Sequence, residues 1–270
     1  MDDFASFARL IAAITPWRAH LVLVGGWAHR LYRFHGLASV PGYQPLTTQD
    51  TDLAFSVGAP LEGDIREALQ RAGFSEELFG ENVPPVSHYS LGDANAGFYA
   101  EFLTPQVGSG RKRGGAPDAT ISIAGVTAQK LKHLQILFIE PWVINIGPDE
   151  GFPLPSAIDL QVANPVGFMV QKLLIQRLRK PRKRAQDVLY IHDTLEIFAD
   201  ALPVLKEIWE KRIRPGIGES SARKVVELSA ATFSAVTDLI REAALMAQGR
   251  DLSPERLQGL CQAALREVIN

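Results

Sequence analysis

The stretch Leu21–Val57, LVLVGGWAHRLYRFHGLASVPGYQPLTTQDTDLAFSV, decides the fold class of this chain. Leu21 to Val24 are four apolar residues, two of them β-branched, that end at Gly25-Gly26; this is the pattern of a buried strand running into a turn. Beyond the glycines, Trp27, Leu31 and Phe34 recur at helical spacing, while His29, Arg30 and Arg33 fall on other faces. A strand that turns through glycines into a helix aims free backbone N–H groups and the helix dipole at one point. That makes an anion site, most often for phosphate. Asp50 then opens a second strand. Period two puts Asp50, Asp52, Ala54 and Ser56 on one face and Thr51, Leu53, Phe55 and Val57 on the other. The first face begins with two carboxylates about 7 Å apart, twice the rise per residue. Like charges held that close repel unless a cation lies between them. Mg²⁺, which takes one or two carboxylates plus the oxygens of a nucleotide's phosphates, suits the place.

Working outward, Phe4, Phe7, Leu10, Ile11 and Ile14 give a helix that ends at Thr15-Pro16. Gly36 to Gln49 holds two prolines and Gly42 and reads as a loop, with Tyr43 and Thr47 either bordering a nucleotide or serving as plain loop residues. Leu61 to Gly73 reads as a helix with Gly73 as its stop, and Ser87 to Leu91 as a short strand. Gly97 to Leu103 is a clearer strand, with Tyr99, Glu101 and Leu103 on one face. A carboxylate in mid-strand among aromatic residues is costly to bury without a positive partner, so Glu101 is either a metal ligand or paired with an arginine at a sheet edge. Thr104 to Thr120 is glycine-rich and carries Arg111-Lys112-Arg113, a basic run that is either a phosphate clamp or a solvated tip.

Further along, Ile121 to Ile123 reads as a strand, Thr127 to Ile139 as a helix, and Trp142–Ile146 with Ala157–Val162 as a hairpin. Asn164-Pro165 has the form of a helix start, with a core stripe from Val166 to Leu178 and with Lys172, Gln176 and Arg179 projecting away from it. Lys180-Pro181 breaks this run, and a second helix follows with Asp187, Val188, Ile191 and Leu195. The connection is densely basic, with Arg177, Arg179, Lys180, Arg182, Lys183 and Arg184. It reads equally as a phosphate-attracting patch or as a solvated link between helices. From residue 201 the pattern is helical: Leu202 to Trp209, Ala222 to Gln248, and a last helix entered through Ser253-Pro254-Glu255, with Arg214 to Ser220 as the main break.

Composition bounds the function. The chain has 270 residues, 46% hydrophobic and 21% charged, with ample core for one large domain or one and a half. No run of 18 apolar residues occurs, so no transmembrane helix is expected. Met1-Asp2-Asp3 does not read as the start of a signal peptide. Cys261 is the only cysteine, which leaves no disulfide or zinc cluster and fits a reducing cytoplasm. A formal net charge of −2 argues against a general nucleic-acid coat but leaves room for a local basic patch.

The order strand, Gly25-Gly26, helix, then Thr48-x-Asp50-x-Asp52 on a strand resembles the nucleotidyltransferase superfamily of the DNA polymerase beta-like fold. It is most similar to the bacterial branch of uncharacterised and toxin-like members. Asp-x-Asp and Gly-Gly are each common, and their order and placement carry the likeness across roughly residues 20–195. The alternative is a solvated Asp-x-Asp beside an ordinary glycine turn. The resemblance implies an α+β fold, a mixed sheet flanked by helices. Residues 1–195 would form the core and residues 196–270 a helical C-terminal region. It implies transfer of an NMP from an NTP to an acceptor hydroxyl, with two Mg²⁺ ions (Mn²⁺ as alternative) on Asp50, Asp52 and Glu101. The third position more often holds Asp, and the glycine turn often holds Gly-Ser. Gly25 and Gly26 would hold the phosphates, with Arg33, Lys172 and Asp187 adding to nucleotide binding. Implied acceptors are RNA, tRNA above all, through the basic segment from Arg177 to Arg184, then a protein hydroxyl or a small molecule. A cognate antitoxin-like partner also follows from the likeness. The rival expectation is a non-catalytic member that keeps the fold to bind nucleotide or another protein.

Overall fold

Four apolar residues with no polar alternate are shielded from water only when both faces of their strand are covered, and Leu21–Val24 is buried at every position. This strand, β1, lies inside a mixed open sheet. The computed structural model describes residues 3–56, 61–92, 97–111, 113–247 and 249–269. Among them nine strands join the sheet: β1 (Leu21–Val24), β2 (Asp50–Phe55), β3 (Ser75–Phe79), β4 (Val86–Leu91), β5 (Phe98–Pro105), β6 (Thr120–Ile123), β7 (Val126–Leu131), β8 (Trp142–Ile146) and β9 (Ile158–Val162). The order is β3-β4-β5-β2-β1-β9-β8, with β7 beside β5 and β6 beside β7. Helices flank the sheet and fill the C-terminal region, so the fold is α+β. By contacts the chain forms two compact units, Met1–Ala28 with Thr47–Ala163, and His29–Leu46 with Asn164–Asn270.

In the sheet unit, β2 pairs antiparallel with β1 and parallel with β5. Val22, Val24, Ala54 and Leu103 form one apolar face with Leu134 and Leu137 of a short 3₁₀ turn and with Ala163. On the other face Phe55 stacks on Phe102 with ring centroids 5.5 Å apart. Helix α1 (Asp3–Ile14) packs on β5 and on α3 (Ile65–Arg71). Its Phe7 stacks at 3.9 Å on Trp27, in the first turn of α2 (Gly25–Leu31).

Several elements differ from the reading of the sequence. Residues 127–139 are not a helix: they supply β7 and the 3₁₀ turn Leu134–Phe138. The cause is the two-residue turn Ala124-Gly125, both residues at positive φ, which folds β6 back on β7 as a hairpin. The helix expected from Leu61 begins at Ile65, because Asp64 caps it by accepting from the Glu67 N–H at 2.9 Å. Strand β3 is an edge strand with exposed Leu78 and Phe79, and its sequence lacks the apolar alternation that marks a strand. Val57 at the end of the expected second strand, Lys112 of the basic run, and Gln248 lie outside the described residues.

The second unit is helical: α4 (Pro165–Ile175), α5 (Pro181–Ile197), α6 (Leu202–Ile208), α7 (Arg214–Ile217), α8 (Glu219–Thr232), α9 (Asp238–Leu245) and α10 (Pro254–Ile269). Arg214 to Ile217 is helical, so the expected break shrinks to Gly218, at φ +79°. The run expected from Ala222 to Gln248 is two helices, since Thr237 caps α9 by accepting from the Ile240 N–H. Every residue of α4 is buried. Of the three residues expected to project away from the apolar stripe, Lys172 in α4 and Gln176 just after it are buried, and Arg179 is exposed. No helix among the described residues is long and apolar enough to cross a membrane.

The start of α4 gives a test of this local logic. Asn164 is fully buried and its Oδ1 accepts from the Gly167 N–H at 2.8 Å. Asn164→Ala should lower stability by about 1–2 kcal/mol in urea denaturation, since the cap is lost and a buried N–H is stranded. An unchanged midpoint would refute the cap's role.

Candidate functional site

The carboxylates of the sheet unit are brought together by register. Asp52 lies opposite Val24 on β1 and beside Glu101 on β5, and Asp50 lies beside Tyr99. Laterally paired residues share a face, so Asp50, Asp52 and Glu101 all stand on the face that carries Val24, Ala54 and Leu103. Thr51 and Leu53 point the other way and are buried, whereas Asp50 and Asp52 are half-buried. The apolar cover of Leu134 and Leu137 serves one half of this face, and the carboxylates occupy the other.

The glycines explain how close the turn comes. Gly25 has φ +65°, and a Cβ there would run into the Asp52 carboxylate; a Cβ on Gly26 would lie 2.7 Å from the Thr48 side chain. Any larger residue would push the turn off the Asp-bearing strand. Thr48 in turn donates from Oγ1 to an Asp50 carboxylate oxygen and to the Asp50 carbonyl at 3.3 Å. The segment Thr48-x-Asp50-x-Asp52 and Gly25-Gly26 thus make one packed unit.

Two further residues complete it. His88, opposite Glu101 on β4, approaches Glu101 Oε1 from Nε2 at 3.0 Å. Burial lowers the His88 pKa, against the opposing pull of Glu77 and Asp50, so at neutral pH the imidazole is uncharged and donates from Nε2. Tyr99 stacks on His88 with centroids 5.2 Å apart. Its hydroxyl pKa is raised by burial and then by Asp50, Glu101 and Asp52, whose fields all reach it. The spacing within Ser87–Leu91 does not single out His88; strand pairing alone sets it against Glu101.

This donor set fits a divalent metal. It offers three carboxylates as hard oxygen ligands, half-buried on one sheet face where the apolar cover stops, with a hydroxyl steadying one of them.

The other expected residues lie in the helical unit and have partners of their own. Lys172 is 4% exposed; its Nζ sits 2.6 Å from Asp187 Oδ1 and over the rings of Phe168 and Tyr190. Arg179 Nε reaches Asp187 Oδ2 at 3.3 Å. Arg33 donates from Nη1 to the carbonyls of Tyr43 at 2.9 Å and Pro41 at 3.3 Å, fastening the 36–46 loop. The Tyr43 ring lies under Arg33 and Arg250, and its hydroxyl donates to Glu196 at 2.6 Å. Arg177, Lys180, Arg182 and Lys183 are exposed.

A second cluster, His192, Asp193 and Glu196, places donor atoms within 4.8 Å of one another. Arg250 holds both Asp193 oxygens at 2.7 and 2.8 Å, and Arg256 reaches Glu196 at 3.3 Å. Two guanidiniums already neutralise these carboxylates, so a cation there meets positive charge as well as negative. Nearby His29 is fully buried with neither ring nitrogen partnered among the described residues.

Residues 2–214, well over half of the chain, match the family model described as Nucleotidyltransferase. No curated protein matches.

Two stability tests follow from the helical unit. Lys172→Met should cost up to about 3–5 kcal/mol in chemical denaturation by leaving the buried Asp187 carboxylate with Arg179 alone, and the pair Lys172→Met/Asp187→Leu should recover most of it. Equal losses in both variants would refute the pairing. His29 has its pKa lowered to about 4, first by burial. The unfolded chain therefore binds a proton near pH 6.5 that the folded one refuses. Its contribution is fully present above pH 6.5 and is lost as the pH falls toward 4, by up to about 1.4 kcal/mol per pH unit. His29→Phe should flatten this acid limb in denaturant titrations from pH 7 to 4; an unaltered limb would count against the assignment.

Proposed function

The chain belongs to this nucleotidyltransferase family, and from that premise we propose that it is a metal-dependent enzyme that moves an NMP from an NTP to an acceptor hydroxyl. The observation that carries the reading is the placement of Asp50, Asp52 and Glu101 on one sheet face beside the Gly25-Gly26 turn. These three carboxylates would hold Mg²⁺, or Mn²⁺ in its place. The bound metal supplies neutralising charge to the phosphates and to the attacking oxygen.

The chain's own groups have separable tasks. Gly25 and Gly26 present backbone rather than side chain to the phosphates, and their packing on Thr48 and Asp52 keeps phosphate and carboxylate sites in a fixed relation. His88 donates to Glu101 Oε1 and so orients that carboxylate. Glu101 then receives the proton of the acceptor hydroxyl as the new O–P bond forms at the α-phosphate. The bond to the β-phosphate breaks, and pyrophosphate leaves with the electron pair. In the helical unit the Lys172–Asp187 pair steadies α4 against α5, and Arg33 fastens the 36–46 loop.

RNA is the acceptor we favour, supported by the exposed cations of the segment from Arg177 to Arg184. A cytoplasmic, toxin-like enzyme with an antitoxin-like partner is the biological setting that goes with that acceptor.

Asp52→Asn is the direct test. It should abolish labelled NMP transfer to total RNA in Mg²⁺ or Mn²⁺ while leaving the melting temperature unchanged or raised, because it relieves repulsion between carboxylates. Turnover at the wild-type rate would remove Asp52 from the site. Wild-type protein that binds NTP but transfers to no acceptor would favour the non-catalytic reading instead.

A further inference from the structure

The helical unit contains a second feature suited to phosphate. A cleft of about 450 Å³ is lined by Arg177, Ser220, Arg223, Lys224 and Glu227, with two aliphatic residues between them. Arg177 lies in the 3₁₀ turn after α4, and the other four lie on α8. The two walls are tied together: α4 packs on α8, and Thr232 Oγ1 donates to Gln176 Oε1 at 3.2 Å, one residue from Arg177.

The cations of this cleft are not matched by carboxylates, unlike many others of the unit. Lys206, Lys211, Arg214, Arg241, Arg250 and Arg256 each face a carboxylate. Arg177, Arg223 and Lys224 are exposed and form no ion pair among the described residues. The lining sets these three cations against one carboxylate, Glu227, and the Ser220 hydroxyl adds a further hydrogen-bond donor. Unmatched cations converging on an open cleft attract an anion, and guanidinium and ammonium donors suit phosphate oxygens.

The lining also limits which phosphate compound fits. It includes no aromatic side chain on which a base could stack. Contacts are therefore with the phosphate, not the base. Positive charge continues from Arg177 into the exposed Lys180, Arg182 and Lys183, which suits a chain of phosphates better than a single one.

We propose that this cleft, with Arg223 and Lys224 of α8 opposite Arg177, binds the phosphodiester backbone of an RNA strand without reading its sequence. The inference rests on the reading of RNA as acceptor and adds a docking site for that strand on α8, an element that lies outside the residues matched by the family model.

The experiment measures binding of a fluorescein-labelled single-stranded RNA to the full chain across a KCl series, without NTP. The double variant Arg223→Gln/Lys224→Gln should bind at least tenfold more weakly at low salt. Its slope of log affinity against log salt should be shallower by roughly 1.4, about 0.7 for each lost contact to a single strand. Arg223→Lys/Lys224→Arg keeps both charges and should keep the wild-type slope, and circular dichroism should show both variants folded. Unchanged affinity and slope in the glutamine variant would overturn the proposal while leaving the transferase reading intact. Weakened RNA binding in a protein that transfers NMP to no acceptor would support the cleft and defeat the transferase reading. Displacement of the RNA by millimolar inorganic phosphate, with phosphate binding lost in the glutamine variant, would identify the ligand as a free phosphate compound and overturn the backbone assignment.

Discussion

The constraint on which the sheet unit depends is the contact between a glycine turn and a strand. Gly25 sits at positive φ with Asp52 where its side chain would be, and Gly26 meets Thr48 in the same way. Antiparallel pairing of β1 with β2 sets Val24 opposite Asp52, so the turn begins where the carboxylates begin. A side chain at either glycine would force the strand and the turn apart. The glycines are thus required by the protein's own packing, before any phosphate is considered.

From that contact the rest of the face is ordered by register. Parallel pairing with β5 brings Glu101 beside Asp52, and antiparallel pairing with β4 brings His88 to Glu101. Apolar cover from Leu134 and Leu137 ends where the charges start, which leaves the carboxylates half-buried. Like charges in such a place raise the energy of the fold, and a divalent cation held there, as we propose, would relieve that repulsion and add stability on binding.

The helical unit pairs its buried charges internally. Lys172 with Asp187, and Arg250 with Asp193, are pairs whose members would be expensive to bury alone. Tyr43, with Arg33 and Arg250 against its ring and Glu196 at its hydroxyl, joins the 36–46 loop to this network. The cations lining the cleft at α8 stand outside this matching.

By itself the sequence determined the elements whose signal is local. Period two in Asp50–Phe55 fixed which face carries the carboxylates, four apolar residues fixed β1 as buried, and Asn164-Pro165 fixed the start of α4. Tertiary structure alone decided what meets what. His88 reached Glu101 through strand register, which no spacing in the chain encodes, and Lys172 turned inward because α4 is covered on all sides. The helix expected over 127–139 failed because pairing with β5 and β6 satisfied its backbone as a strand. Local periodicity records which side chains share a face. Which face is covered, and by what, follows from contacts between residues far apart in the chain, and those are settled only when the whole fold closes.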